Sequence, residues 1–238
     1  MIYLRESNLI FIKPRKVAGT SFEIALSEYA MEGNIVTPIR PNDEVNRRAL
    51  GFRGAQNYLK PRHEYSAGDL YRFLMGREGT KKYFNHISAK QLRDKLGAGV
   101  FDKAKKISIV RNPYDRLVSM YYWTIEEKAA KGDMAFAEWL RYNPEYVRQN
   151  YEHYFIDRKF VVDHVIRYEN LLEDCFALEG EFSSLEGLSY SMKKIKAKGG
   201  IRPKERSLAD YYHEAADLVS IVEFFNRELI DMFGYETP

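Results

Sequence analysis

Short apolar runs alternate along this chain with stretches of helical period. Leu9–Lys13, roughly Lys82–His86, Ile107–Val110 and Val161–Ile166 have the length and apolar character of buried strands. Helical spacing of apolar residues marks the segments near Ser21–Met31, Ala89–Leu96, Tyr114–Ala130 and Leu208–Phe233. In the last of these, Leu218, Val222, Phe225, Leu229 and Met232 step by four, three, four and three, as a core-facing stripe does, and Gly234 supplies the stop. Strands alternating with helices predict an α/β fold of three layers, a central and mainly parallel sheet flanked by helices on both faces. Between Thr37 and Thr80 the periodicity weakens and Arg, Tyr, Pro and Gly accumulate, so residues 37–80 read as an elaborated surface insertion within a single domain spanning residues 1–238.

Composition narrows the class. With 45% hydrophobic and 30% charged residues in 238, the chain suits a soluble globule with a real core rather than a disordered one. No apolar run approaches the roughly 20 residues a membrane span needs, and no signal-type segment opens the chain. Cys175, the one cysteine, can form neither an internal disulfide nor a multi-thiolate metal site, which favours a reducing, cytoplasmic setting. A net charge of +3 is too small to imply a nucleic-acid partner. The bases are instead concentrated: Lys193, Lys194, Lys196, Lys198, Arg202, Lys204 and Arg206 face one acid, Glu205, around Gly199-Gly200 and Pro203. That is either a solvated loop or one whose backbone can approach an anion closely.

Two segments have the form of anion sites. In the first, the apolar run Leu9–Ile12 leads through Lys13-Pro14-Arg15-Lys16-Val17-Ala18-Gly19 into a helix. Thr20 and Glu23 have capping-box spacing, which predicts a helix start at Thr20. Free N–H groups there, Gly19 and the Lys16 ammonium together make a phosphate-sized nest. The loop is not a Walker A motif, since no Gly-Lys dipeptide occurs in the chain. In the second, the strand Ile107–Val110 ends at Arg111, Asn112 is a good N-cap, Pro113 fits the first helical position and Asp115 the third. Arg111 then projects from a strand's carboxyl end, where open α/β sheets bind ligands, and can either fork onto a phosphate or pair with Asp115. Ser119, eight residues on, can add a hydroxyl.

At these residues the chain resembles a family. Lys16-Val17-Ala18-Gly19-Thr20-Ser21 looks like the 5′-phosphosulfate loop of sulfotransferases that use 3′-phosphoadenosine 5′-phosphosulfate (PAPS), in a form nearer their carbohydrate-type, family 2-like branch. Arg111 to Ser119 resembles their 3′-phosphate motif with the same spacing and in the same order along the chain. Arg167–Leu171, the basic loop to Arg202 and the closing Phe233-Gly234-Tyr235 extend the resemblance over most of Leu9–Tyr235. It implies a sulfotransferase fold akin to P-loop NTPases, PAPS as donor, 3′-phosphoadenosine 5′-phosphate (PAP) as product, and no metal. By the same resemblance, Lys16 to Ser21 cradle the phosphosulfate, Arg111 and Ser119 hold the 3′-phosphate, Tyr168 lies near the adenine, and Lys198 and Arg202 close over the nucleotide.

Sulfuryl transfer to a hydroxyl needs a general base, and histidine suits neutral pH. Of the five histidines, His86 closes an aromatic run 25 residues before Arg111, near the base position in similar sulfotransferases. His63 and His153 remain alternatives, while His164 reads as a packed strand residue. Spacings for a metal site are absent: there is no H-E-x-x-H, no C-x-x-C and no calcium loop. An acceptor site of aromatic and cationic groups, suited to a glycan, can be drawn from Tyr142, Tyr146, Tyr151, Tyr154 and Phe155 with Arg141, Arg148 and His153, and from Arg47, Arg48, Arg53 and Arg62. Two other classes stay open: a phosphoryl-transfer nucleotide kinase on a related scaffold, and a catalytically silent nucleotide- or glycan-binding module.

Overall fold

The structure, a computed structural model, describes residues 1–76, 79–128, 134–195 and 206–238. Strands β1 (Ile2–Leu4), β2 (Leu9–Phe11) and β3 (Ile35–Val36) frame helix α1 (Gly19–Leu26). Helices α2 (Pro41–Ala49), α3 (Ala67–Leu74), α4 (Ala89–Leu96) and α5 (Ala98–Phe101) precede β4 (Lys105–Val110). Then come α6 (Pro113–Lys128), α7 (Phe136–Tyr142), α8 (Tyr151–Tyr154), a hairpin of β5 (Phe155–Ile156) and β6 (Lys159–Phe160), and β7 (His164–Arg167). The chain closes with α9 (Leu171–Glu181), α10 (Leu188–Lys194), α11 (Leu208–His213) and α12 (Ala216–Phe233).

The main sheet has the order β3-β1-β2-β4-β7. β2, β4 and β7 are parallel neighbours, whereas β1 pairs antiparallel with both β2 and β3. The sheet is therefore mixed, with its parallel half in the centre and at the β7 edge. Period-two alternation divides the core into layers. Ile2, Leu4, Leu9, Phe11, Ile107 and Ile109 face α1, α9 and α10, where the Phe11 and Phe22 rings meet at 4.7 Å. Tyr3, Ile10 and Ile12 face the opposite way, onto Ala89 and Leu92 of α4 and Phe101 of α5. A further cluster, centred on α6, α7, α11 and the start of α12, is aromatic-rich and lies beside this three-layer α/β core.

Four local expectations are corrected. Lys82–His86 is not a strand: Lys82 and Tyr83 both donate their N–H to Tyr58 O, at 2.9 Å each, and His86 turns the chain at φ 58°, so no ladder can run. The strand expected from Val161 begins at His164, because Val161 N–H is taken by Tyr154 O and Asp163 N–H by Lys106 O. The long C-terminal helix is two helices, and α12 kinks at Asn226, whose amide reaches Val222 O and Val147 O. That kink moves Phe225 and Met232 outward, at 38% and 47% exposure, while Leu218, Val222 and Leu229 stay buried. Gly234, at φ 64°, ends the helix as expected.

The fourth correction concerns Thr20 and Glu23. Helix α1 begins at Gly19, Ala18 occupies the N-cap without a side-chain bond, and Glu23 is fully buried instead of capping. Its carboxylate pairs with Lys13 at 2.7 Å and with Arg47 of α2 at 3.8 Å, and accepts from Thr37 at 2.9 Å. Burial alone would raise this carboxyl; Lys13, the Met1 ammonium and Arg47 outweigh it and hold it at about 2. The segment 37–80, irregular by pattern, thus carries two helices and one buried ionic anchor to α1. Glu23→Ala leaves Lys13 buried without its counter-charge and Arg47 with Glu44 alone, and is expected to cost about 3–5 kcal/mol, read as a lowered denaturant midpoint.

Candidate active site

β2, β4 and β7 run parallel, so their carboxyl ends open on one edge of the sheet. The chain leaves β2 into the Lys13–Ala18 turn, β4 into Arg111-Asn112, and β7 into Tyr168. In the first turn Lys16 and Ala18 both adopt φ 61°, a left-handed conformation costing non-glycine residues roughly 1–2 kcal/mol each. Fully buried Val17, between them, holds the turn from beneath. Asn150, itself buried, clamps its entry: Arg15 N–H donates to Asn150 Oδ1 and Asn150 Nδ2 donates to Arg15 O, both at 2.9 Å. The earliest backbone bond into α1 runs from Phe22 N–H to Ala18 O at 3.2 Å. The N–H groups of Gly19, Thr20 and Ser21 thus precede any intrahelical partner and sit at the positive end of the helix dipole. Gly19 is required by close approach, since a Cβ there would lie 2.9 Å from Lys13 Cγ.

Arg111 joins all three turns. Its Nη1 donates to Lys16 O at 2.9 Å, its Nε to Asp115 Oδ2 at 2.6 Å, and its guanidinium carbon stands 3.9 Å from the centre of the Tyr168 ring. The Tyr168 contact follows from register, because Val110 pairs with Arg167 and the next residues of both strands are level. Asn112 caps α6 as expected, accepting from Tyr114 N–H at 2.9 Å, while Glu169 accepts the Asn112 N–H at 2.7 Å. Of the two sequence alternatives for Arg111 the pair with Asp115 is formed, and two of its five N–H donors account for that pair and the Lys16 bond.

Ser119 is half-buried on α6, one helical step of four from Asp115. One further step reaches Trp123, whose ring lies 5.7 Å from Lys16 Nζ and 5.3 Å from the Arg40 guanidinium. Asp115, Ser119 and Trp123 form one row on α6. Its first member touches Arg111 and its last lies by Lys16, which puts Ser119 between the two cations. Trp123 and Arg40 were missed in the sequence; the i+4 row from Ser119 would have found Trp123, but no local pattern singles out Arg40.

His86 and His153 stand edge-to-face with ring centres 6.4 Å apart. His86 Nδ1 lies 3.1 Å from Lys13 O, and His153 Nε2 lies 3.1 Å from His86 O. Burial first, then the charges of Lys13 and Arg15, lower His86 to about 2. Burial is also the main cause that lowers His153 to about 4. Both rings are therefore neutral at neutral pH.

The family profile described as the Sulfotransferase family matches residues 3–201. The chain belongs to the Sulfotransferase family. A sulfotransferase from Alicyclobacillus acidocaldarius is similar in structure, with a TM-score of 0.42 and 16% identity over 92% of this chain and 95% of that one. No curated protein matches the chain.

The remaining residues singled out in the sequence are scattered or lie outside the described residues, as Lys198 and Arg202 do. His63 is 80% exposed beside Glu64, and His164 is paired with Glu181 at 2.8 Å. The aromatic set drawn for an acceptor divides. Tyr154 is core, donating to Ile109 O, Tyr146 stacks on Trp139, Tyr151 stacks on Phe155 under Arg148, and Tyr142 is exposed. Arg141 is engaged by Asp217, and Arg47 is the buried partner of Glu23 and Glu44. Arg15, half-buried next to Lys16, pairs with no carboxylate among the described residues. No helix among them is long and apolar enough to cross a membrane.

The two histidines carry a pH signature. Their folded values lie below the ordinary 6.5, so the unfolded chain binds protons first as pH falls. Their contribution to stability is complete above about 6.5 and is lost progressively from there down to about 4 for His153 and lower for His86. The thermal midpoint is expected to fall between pH 7 and 5, with a shallower slope in His153→Gln, measured by calorimetry across that range.

Proposed function

We propose that the protein transfers the sulfuryl group of PAPS to a hydroxyl of a carbohydrate acceptor by in-line displacement. The observation that carries this reading is the 2.9 Å bond from Arg111 to the Lys16 carbonyl, which joins the two anion-binding turns in one site suited to a ligand anionic at both ends. Lys16, the left-handed turn to Ala18 and the N–H groups of Gly19, Thr20 and Ser21 hold the phosphosulfate. Arg111 retains N–H donors for the 3′-phosphate, Ser119 adds its hydroxyl, and Tyr168 backs the guanidinium and borders the adenine.

The chemistry asks little covalent work of the protein. His86 Nε2 takes the acceptor's hydroxyl proton as that oxygen bonds to sulfur. The bond from sulfur to the 5′-phosphate bridge breaks, and its electron pair leaves on PAP. Lys16 and the α1 N–H groups stabilise the charge that develops there, and preorganised donors of this kind contribute about 3–4 kcal/mol each. A base in place is worth about 10²–10⁴-fold. Lys13 and Arg15 depress His86, and a multiply anionic donor beside them opposes that part of the shift, so His86 gains basicity as the donor binds. Arg15 suits an acceptor glycan that already carries negative charge.

Calorimetric titration separates this reading from its alternatives. PAP is expected to bind without metal and more tightly than ATP with Mg²⁺, and Arg111→Ala to weaken PAP by about 10–100-fold, the loss of a charge-assisted pair. Preference for ATP with Mg²⁺ would favour a kinase. A screen of desulfated glycans and small alcohols with labelled PAPS then identifies the acceptor. Lys16→Ala and His86→Ala are expected to abolish transfer, with PAP affinity of His86→Ala within about twofold of wild type. Tight PAP binding with no transfer to any acceptor would point to a silent binding module.

A further inference from the structure

His86 needs help to hold its position. It sits at φ 58° in an irregular turn rather than on a strand, a left-handed conformation uncommon for a non-glycine residue. Its ring is fixed at one end, where Nδ1 is 3.1 Å from Lys13 O. A carbonyl only accepts, so Nδ1 carries the proton and Nε2 presents its lone pair. The backbone of the same residue is fixed by His153, whose Nε2 is 3.1 Å from His86 O and by the same logic must be the protonated nitrogen. His153 is 5% exposed, and its other nitrogen, Nδ1, is buried with no partner among the described residues. A buried orphan nitrogen costs roughly 1–3 kcal/mol, which an apolar side chain of similar size would avoid. The His153 backbone N–H in turn donates to Asn150 O at 3.0 Å, and Asn150 is the residue that clamps Arg15. A closed circuit of hydrogen bonds therefore runs from the Lys13–Arg15 turn through Asn150, His153 and His86 back to Lys13.

We propose that His153 is a positioning residue for sulfuryl transfer: its Nε2–H holds the His86 carbonyl and so keeps the His86 imidazole aimed, as a single tautomer, from the turn that also carries Lys16. The proposal rests on the reading of His86 as the base. It also explains why a second, buried histidine that cannot itself reach an acceptor stands beside the first.

The test compares His153→Leu, which fills the space without a donor, with His153→Gln, whose amide N–H falls near the position of Nε2. Imidazole ¹⁵N shifts of the PAP complex report the His86 tautomer without any acceptor. Lys13 and Arg15 on the turn and His153 on α8 are the charged and titratable groups facing that ring. The expected result for His153→Leu is loss of the single Nδ1–H tautomer and a His86 titration moved up toward the ordinary range. Its kcat should fall about 10–100-fold with the KM for PAPS within about twofold, using the acceptor with the highest turnover in the screen. His153→Gln should keep the tautomer and recover kcat to within about fivefold. An unchanged His86 tautomer in His153→Leu, wild-type kcat in that variant, or equal loss in both variants with PAP affinity intact would each overturn the proposal. Should His153→Leu fail to fold, a folded His153→Gln as inactive as His86→Ala overturns it too. His86→Ala with full activity removes the base reading and this proposal together, whereas an inactive His86→Ala beside a fully active His153→Leu removes this proposal alone.

Discussion

The site depends on one guanidinium. Arg111 stands at the end of the central parallel strand and makes contact on three sides: the Lys16 carbonyl from the β2 turn, Asp115 from its own helix, and the Tyr168 ring from the β7 turn. Parallel pairing puts those turns on one edge of the sheet, but proximity of strand ends does not by itself align loops. Arg111 does that through a planar fork with fixed donor directions, which a lysine at the same place would not reproduce. Because the bond is to the carbonyl of Lys16, a residue at φ 61°, it also helps sustain the strained turn that aims the α1 N–H groups.

A second constraint lies beneath the first. Glu23 is the buried acid on which Lys13, at the start of the same turn, and Arg47, from α2, converge. Lys13 is also the residue whose carbonyl orients His86 and whose side chain crowds Gly19. The ionic anchor under α1 therefore bears on the Lys13–Ala18 turn, on His86 and on the 37–80 segment at once. Such a cluster is poor evidence for stability in itself, since desolvation consumes most of the Coulombic gain. Its consequence here is geometric: the loop has one place to sit.

Sequence patterns read well wherever backbone periodicity and side-chain burial agreed. The cores of β2 and β4, all of α4, the Asn112-Pro113 start of α6 and the Gly234 stop lie where the patterns put them. The failures share a cause, which is tertiary claims on residues with a local reading. Thr20-x-x-Glu23 has the spacing of a cap, but Glu23 was worth more to Lys13 and Arg47 than to the helix start. Tyr83 and His86 close an apolar run, yet Tyr58 O takes two successive N–H groups and ends any ladder. Phe225 belongs to a perfect stripe until Asn226 bends the helix. In the site, Lys16 and Arg111 were legible because each follows a strand end, and Tyr168 through the family resemblance alone. Trp123 and Arg40 were not, since their contact with the Lys16 turn joins segments far apart in the chain.

That division bears on specificity. Among the described residues, those proposed for the donor stand just past the ends of parallel strands or on the first two turns of α1 and α6, where the sheet and the Arg111 contacts fix their spacing. His86 and His153 stand on an irregular turn and a short helix held by imidazole to backbone bonds. Strand-end positions cannot move without breaking the sheet, whereas the turn carrying His86 is set by two imidazole contacts and can be re-aimed by changing either. On the proposed reading, donor geometry is therefore a property of the fold, and acceptor geometry a property of a few replaceable hydrogen bonds. That is the physical reason the donor side can be inferred from short motifs while the acceptor must be found by experiment.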